Sequence, residues 1–556
     1  MLTALAGADS VSPASWLLAI LPVATLLALV LWGRFGTPVN ALLTVAVGAA
    51  VAWSAFAAGP ATLVVGLGKG AWVGVWILYV IWPALLVHSL AGRIGMSALG
   101  ESLEQVLPRR TENVLLLAWV LPSFLQGVSG FGTPIAICAP LLVAIGVDAT
   151  RAVALPLVGY HWAVGFGSMG SSFYMGSLTA NLSQDETQAF AGSLAVVLGV
   201  NVLLSGVLVA LMAGGWRGLR EGWRLLVTVG PVMALVQLGV VRLEPSIGAL
   251  CAGSSGLLVV LCWRLAGSRR RRREPQAAVA DGREDTQVPS APPVRSDLPD
   301  TLSHRGTTPR NRAWASAVPY VVLAVLALAV FAPPALRSWV KGHALLGPDF
   351  PATRTGKGFS TEAVSTYNPI ALLGHPGTLL LAACLVSLLI WRATAVWRPG
   401  TLRGVRGPWL KQSWKATPTT VLLASVAGVL VDSGMVRTVA VGAADAAGRA
   451  YPVVAPFVGA LGSFITGSTT SSNALFSSLQ HDVARLIGDR PADLLAAQTA
   501  GGNVGNSLAP VVIMLGVTAV GSSTSLSAVL RSTLWPALVL LVSVLTTTSV
   551  LVLLHR

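Results

Sequence analysis

Long apolar runs separated by short polar connections dominate the chain. The runs at 16–32, 40–58, 71–90, 190–213, 246–263, 315–334, 377–391 and 534–554 reach or approach the roughly 20 apolar residues that one bilayer crossing requires. Shorter or interrupted apolar segments lie between them, so the pattern predicts about 12–14 membrane segments. Membrane β-strands would show short alternating stretches instead of continuous runs. The expected fold is therefore an all-α polytopic membrane protein.

Polar interruptions divide this pattern. The segment 267–312 is rich in Arg, Pro, Ser and acidic residues and has no apolar periodicity. It reads as a disordered cytoplasmic linker between two transmembrane halves, 1–266 and 313–556. A second extramembrane segment, 337–376, is separated from the linker by one span, so it should be an extracellular loop. Its length favours a functional or self-folded loop. Four further interruptions fall inside apolar sequence: 126–134 (QGVSGFGTP), 165–172 (GFGSMGSS), 467–473 (GSTTSSN) and 498–507 (QTAGGNVGNS). Secondary transporters often consist of two inverted repeats whose broken helices form the binding site. The layout predicts that organisation here, with broken or re-entrant helices.

A broken helix in hydrocarbon exposes backbone N–H and C=O groups, which cost several kcal/mol each unless they are buried in protein or line a watery cavity. In 126–134 the glycines and Pro134 disfavour continuous helix, and the freed N–H groups beside hydroxyls could receive a carboxylate. The substrate-binding candidates there are Gln126, Gly127, Ser129, Gly130, Gly132 and Thr133. In 467–473, consecutive hydroxyl and amide side chains are costly to bury unless they bind something or one another. Ser468, Thr470, Ser471, Ser472 and Asn473 are candidates, with Asn503 and Asn506 from the fourth interruption. The structural alternative is close helix crossing, which also selects glycine.

Composition narrows the function. Only 11% of residues are charged, against roughly a quarter in soluble proteins. The net charge of +15 does not indicate nucleic acid. Its cations gather beside the spans, as the positive-inside rule expects: Arg34, Arg93, Arg109 with Arg110, 216–224, 269–273 and 392–415. Placing these in the cytoplasm puts residue 1 outside, and 1–14 lacks the basic start of a cleavable signal. The run 269–273 could also meet anionic membrane lipids. Cys138, Cys251, Cys262 and Cys384 show neither ligand spacing nor a disulfide framework and are expected to be packing residues. No metal or cofactor is implied. The absence of a G-x-S-x-G or H-E-x-x-H motif argues against an intramembrane enzyme.

The motifs SFLQGVSGFGTPIAICAPLLVAIG, GFGSMG, GWRGLREGW, RAWASAVPY and FITGSTTSSNALFSSLQ, in this order and spacing, resemble the bacterial lactate permease family from about residue 16 onward, linker excepted. The resemblance implies a multi-pass protein of the bacterial inner (plasma) membrane. It implies secondary active transport of a small carboxylate such as lactate or glycolate by proton symport. Alternatives are a transporter of another small organic solute or with another coupling ion, and a non-transporting sensor. Relative to the family pattern, Gln126 replaces a Glu, Thr469 an Asp and Asn506 a Lys, while Tyr160-His161 stands where the family tends to have Asn-Thr and Asp432 where it often has Tyr. The proton-coupling candidates are therefore His161 and Asp432, with His88 less well placed. Asp432 sits at a span end, where a solvated carboxylate is the expectation.

Overall fold

A computed structural model describes residues 12–94, 107, 109–130, 132–273, 309–394, 396, 401–521 and 524–556. The described chain is almost entirely helical. Eight helices are long and apolar enough to cross a membrane, or up to ten if each bent pair counts as one span. That is fewer than the expected segments for two reasons. The helix Gln184–Val240 is two segments bent at Gly214 and Gly215, and most of the helices that fold back or are interrupted are too short to cross alone.

One group of helices is built around an antiparallel pair, Pro60–Ile94 and Thr401–Asp432. Gly66, Gly70 and Gly74, spaced one turn apart, lie against the backbone of Gly428, Ala424 and Val421. Side chains there would force the helices apart, so small residues substitute for the missing hydrophobic drive between helices in lipid. Thr37–Ala55, Pro309–Phe331 and Pro376–Ala393 complete this group, and Pro13–Trp32 packs on Thr37–Ala55.

The second group contains two hairpins and two interrupted helices. The helical stretch 110–128 is broken at Ser129 and Gly132 and folds back as Thr133–Ala144. Ala149–Tyr160 follows, interrupted before it resumes through the segment ending at Thr179. In the second half, Tyr451–Thr466 breaks at Gly467 and folds back as Thr469–Ile487. Pro491–Leu508 then bends by 44° into Pro510–Ala519. Each half thus supplies a hairpin followed by an interrupted helix.

The two hairpins open on opposite faces. Thr150, just past the open end of the first, bonds Thr524 (2.8 Å), while Asp489, at the open end of the second, bonds Arg556 (2.7 Å). The helix Leu526–His555 runs between Thr524 and Arg556 and is about 45 Å long at 1.5 Å per residue. The hairpins of the two halves therefore point in opposite senses.

Most of the expected linker lies outside the described residues. Its edges are not irregular: Gly248–Arg273 and Pro309–Phe331 carry helix into 267–273 and 309–312. The segment 343–375 folds on itself as two short antiparallel ladders, Leu345–Leu346 with Ile370–Ala371 and Thr353–Arg354 with Ser360–Thr361. It straps both groups on one face. Gly356 N–H donates to Ala57 O, Trp72 Nε1 to Asn368 O (3.0 Å), and Asn368 Nδ2 to Leu178 O (3.3 Å). Three cysteines are buried, but Cys262 is exposed and so is not a packing residue.

Candidate functional site

The interruptions read from the sequence meet in the structure. At the first hairpin tip, Gly132 takes the left-handed conformation (φ 83°) and Pro134 lies in the first turn of Thr133–Ala144, where its missing N–H costs nothing. Gly130 N–H donates to Ser168 Oγ (2.8 Å). The Gln126 side chain lies against both Gly130 and Gly167: a Cβ on either would come within 2.8 Å of its amide nitrogen. Ser168, Met169 and Gly170 form a left-handed turn (φ 48°, 52° and 76°), a conformation costing L-residues roughly 1–2 kcal/mol each. That strained turn interrupts the first broken helix.

Beyond the turn, Ser172 Oγ bonds Thr470 Oγ1 (2.9 Å), so the segment 168–172 touches both hairpin tips. Asn473 then joins three elements. Its Nδ2 donates to Ser172 O (2.8 Å) and Thr499 Oγ1 (3.1 Å), and its Oδ1 accepts from Gln498 Nε2 (2.9 Å). Asn503 closes the circle, with Nδ2 3.1 Å from where a Gly165 Cβ would stand.

Several candidates have other duties. Gly127 is inside a helix and presses on the Leu250 backbone (2.5 Å from an added Cβ), so it serves helix crossing and does not break the chain. Gly132 faces Leu515. Ser129 Oγ and Thr133 Oγ1 bond each other (3.3 Å). Ser468 caps its helix, accepting from Ser471 N–H (3.3 Å), and Ser472 Oγ donates to Gly459 O (3.0 Å). The run 498–507 is continuous helix, contrary to expectation. Gly501 and Gly505 lie directly against the carbonyls of Pro456 and Ala460, and the interruption falls at Ala509 and Pro510. Asn506 is buried but makes no side-chain hydrogen bond among the described residues.

Buried polar atoms without a partner among the described residues cluster here: both amide atoms of Asn503, Thr469 Oγ1, Ser463 Oγ, Gln498 Oε1 and His161 Nε2. Each such group costs roughly 1–3 kcal/mol, which native structures retain where something else binds. None of the four interruptions contains Asp, Glu, Lys or Arg. The second arms of both hairpins begin at the tips, so their N-termini, the positive ends of the helix dipoles, converge on this uncharged region.

His161 starts a 3-10 turn, His161–Val164, and is 1% exposed. Its Nδ1 bonds Val158 O (2.9 Å). A carbonyl only accepts, so Nδ1 carries a proton and the neutral ring presents a free Nε2 lone pair. Asp432 is not solvated as expected. It is 2% exposed and paired with Lys69, Nζ to Oδ1 3.1 Å, because the glycine-packed helices bring these residues together. His88 is half-buried, with no partner at Nδ1.

Sequence reading missed Lys69, although a lysine within GLGKGAW beside an apolar run was the available signal. It also missed Glu244, which is 1% exposed, pairs with Lys341 (2.7 Å), and accepts from Tyr174 OH and Ser246 N–H. Burial alone would raise this carboxyl, but Lys341 and the hydrogen bonds outweigh burial and hold it below the usual range. Tyr174 belongs to the first broken helix and Lys341 to Pro334–Gly342, so Glu244 ties the halves together.

A family model described as L-lactate permease matches residues 15–555. The chain is 28% identical over 521 residues to the L-lactate permease of Escherichia coli K12, covering 91% of this chain and 90% of that one. It is 28% identical to the glycolate permease GlcA of the same organism over 82% and 80% of the two chains. Among solved structures it is similar to the Alcanivorax borkumensis YdaH transporter, at 16% identity and TM-score 0.43 over 88% and 87% of the chains.

Proposed function

Since this chain belongs to the L-lactate permease family, and is thus a monocarboxylate permease of the bacterial plasma membrane, we propose that it takes up lactate or glycolate by proton symport through the region where its helix interruptions meet. The observation that carries this reading is the convergence of two hairpin-tip helix N-termini, with hydroxyl and amide donors, on a region free of acidic side chains. Such N-termini accept a carboxylate without a formal counter-charge. A neutral site also releases an anion more readily than a bidentate arginine would.

In this reading Gln126 and Thr133 of one tip and Thr470 of the other bind the carboxylate, with Asn503 orienting the 2-hydroxyl group. Asn473 positions the second tip. His161 and the Lys69–Asp432 pair are the groups available to carry the coupling proton. The connection 267–312 lies in the cytoplasm between the halves, so a cysteine placed at Ser290 should resist impermeant reagents added to intact cells.

The test is uptake of labelled L-lactate and glycolate into proteoliposomes of purified protein. Accumulation should follow an imposed inward proton gradient and collapse with a protonophore. Accumulation driven by sodium and indifferent to pH would remove proton coupling. Failure to carry either acid under any gradient would remove the substrate reading.

A further inference from the structure

A groove of about 280 Å³ opens between the helices Gln184–Val240 and Leu526–His555. Arg242, Arg490 and His555 line its rim, and Val196, Leu238 and Leu551 line its depth. The order along the membrane normal matters. Arg242 follows the last turn of one helix, Arg490 precedes Pro491–Leu508, and His555 ends another, so the cations share one end. Val196 lies about 10 Å farther in along its helix than Ala189, which is nearer the rim. The groove therefore passes from cationic to apolar with depth.

Arg242 and Arg490 differ from three other cations at this end. Arg485 pairs with Glu186, Arg556 with Asp489 and Lys341 with Glu244. His555 Nδ1 contacts Asp493 Oδ2 (2.7 Å). Arg242 and Arg490 are exposed and have no acidic partner among the described residues. Beside the groove, Val196, Val200 and Leu235 are 37%, 42% and 67% exposed, an apolar surface that suits lipid. A free carboxylate or phosphate would use only the rim, whereas an amphiphile uses the whole gradient.

We propose that this groove binds one anionic phospholipid. Arg242 and Arg490 hold the phosphate, as guanidinium groups do bidentately, and an acyl chain lies along Val196, Leu238 and Leu551. The proposal is independent of which solute the protein carries.

Native mass spectrometry of purified protein, exchanged into detergent with equimolar phosphatidylglycerol and phosphatidylcholine of matched chains, tests it. Wild-type protein should retain one phosphatidylglycerol at least tenfold over phosphatidylcholine. Retention should fall at least tenfold in the Arg242→Gln/Arg490→Gln variant, which removes charge from exposed positions. It should fall equally in Val196→Trp, which fills the groove and keeps both arginines. Soluble glycerol phosphate should not raise the melting temperature, while phosphatidylglycerol should. Equal retention of the two lipids, wild-type retention in either variant, or stabilisation by glycerol phosphate alone would each overturn the proposal.

Discussion

Asn473 Nδ2 donates to the main-chain carbonyl of Ser172 at 2.8 Å, joining residues 301 apart. Through the same side chain the second hairpin tip is tied to Gln498 and Thr499, so one amide connects elements of both halves. Asn473→Leu removes these bonds and leaves three buried partners without them. The expected cost is about 2–5 kcal/mol, from roughly 1–3 per unpaired group with partial relaxation. Uptake should be lost and the melting temperature of the purified protein lowered. Lost uptake at an unchanged melting temperature would mean that Asn473 contacts substrate and does not brace the tip.

Lys69 and Asp432 form a pair with side chains 9% and 2% exposed. Removing one partner strands a buried charge, typically costing about 3–5 kcal/mol, whereas replacing both by apolar residues can be neutral. Asp432→Asn should therefore destabilise the protein more than the double variant Lys69→Met/Asp432→Leu does, measured by thermal unfolding in detergent. The double variant also separates structure from coupling. If it stays folded and still accumulates substrate under an imposed inward proton gradient, the pair is structural.

His375 gives a pH dependence of definite sign. It caps Pro376–Ala393 by accepting from Gly377 N–H and packs against Trp76 and Tyr79. Burial lowers its imidazole from 6.5 to about 3. Above pH 6.5 the ring is neutral folded and unfolded alike. Below it the unfolded chain binds a proton that the folded chain refuses, so stability falls with acid by up to about 1.4 kcal/mol per pH unit until the folded pKa is reached. His375→Asn keeps a capping acceptor and does not titrate. Between pH 6.5 and 5 its melting temperature should fall less steeply than that of wild type, and parallel slopes would exclude His375 as the source.

The sequence revealed the helix interruptions more readily than their partners. Glycine, proline and clustered hydroxyls at 126–134 and 467–473 mark broken helices, because lipid tolerates exposed backbone only where protein covers it. The same signal misled at 498–507, where Gly501 and Gly505 serve close approach to Pro456 and Ala460. Glycine content alone does not separate the two uses, whereas Pro510, lacking an N–H, marked the actual bend. Ser172–Thr470, Lys69–Asp432 and Glu244–Lys341 were illegible because each joins separate helices, and nothing local to either partner encodes the other. Asp432 looked solvated for this reason: a span end reads as exposed until the folded segment 343–375, whose Tyr367 ring lies 5.9 Å from Lys69 Nζ, is found over it.

His161 supplies the sharpest test of coupling. Its proton sits on Nδ1, held by Val158 O, and the unpartnered Nε2 is free to take a second. The ring is four residues from Gly165, which abuts Asn503, so a charge gained at Nε2 arises beside the region proposed to hold the carboxylate. A carboxylate at that region would stabilise the imidazolium, and the imidazolium would tighten carboxylate binding by the same factor, since linkage between two ligands is reciprocal. Substrate affinity should therefore rise as pH falls in wild-type protein and become pH-independent in His161→Gln. That variant keeps a side-chain donor for Val158 and cannot titrate. In proteoliposomes it should equilibrate lactate down its own gradient yet fail to concentrate it under an imposed proton gradient. Concentration at the wild-type level would eliminate His161 as the proton carrier and leave the Lys69–Asp432 pair, whose double variant would then have to lose it.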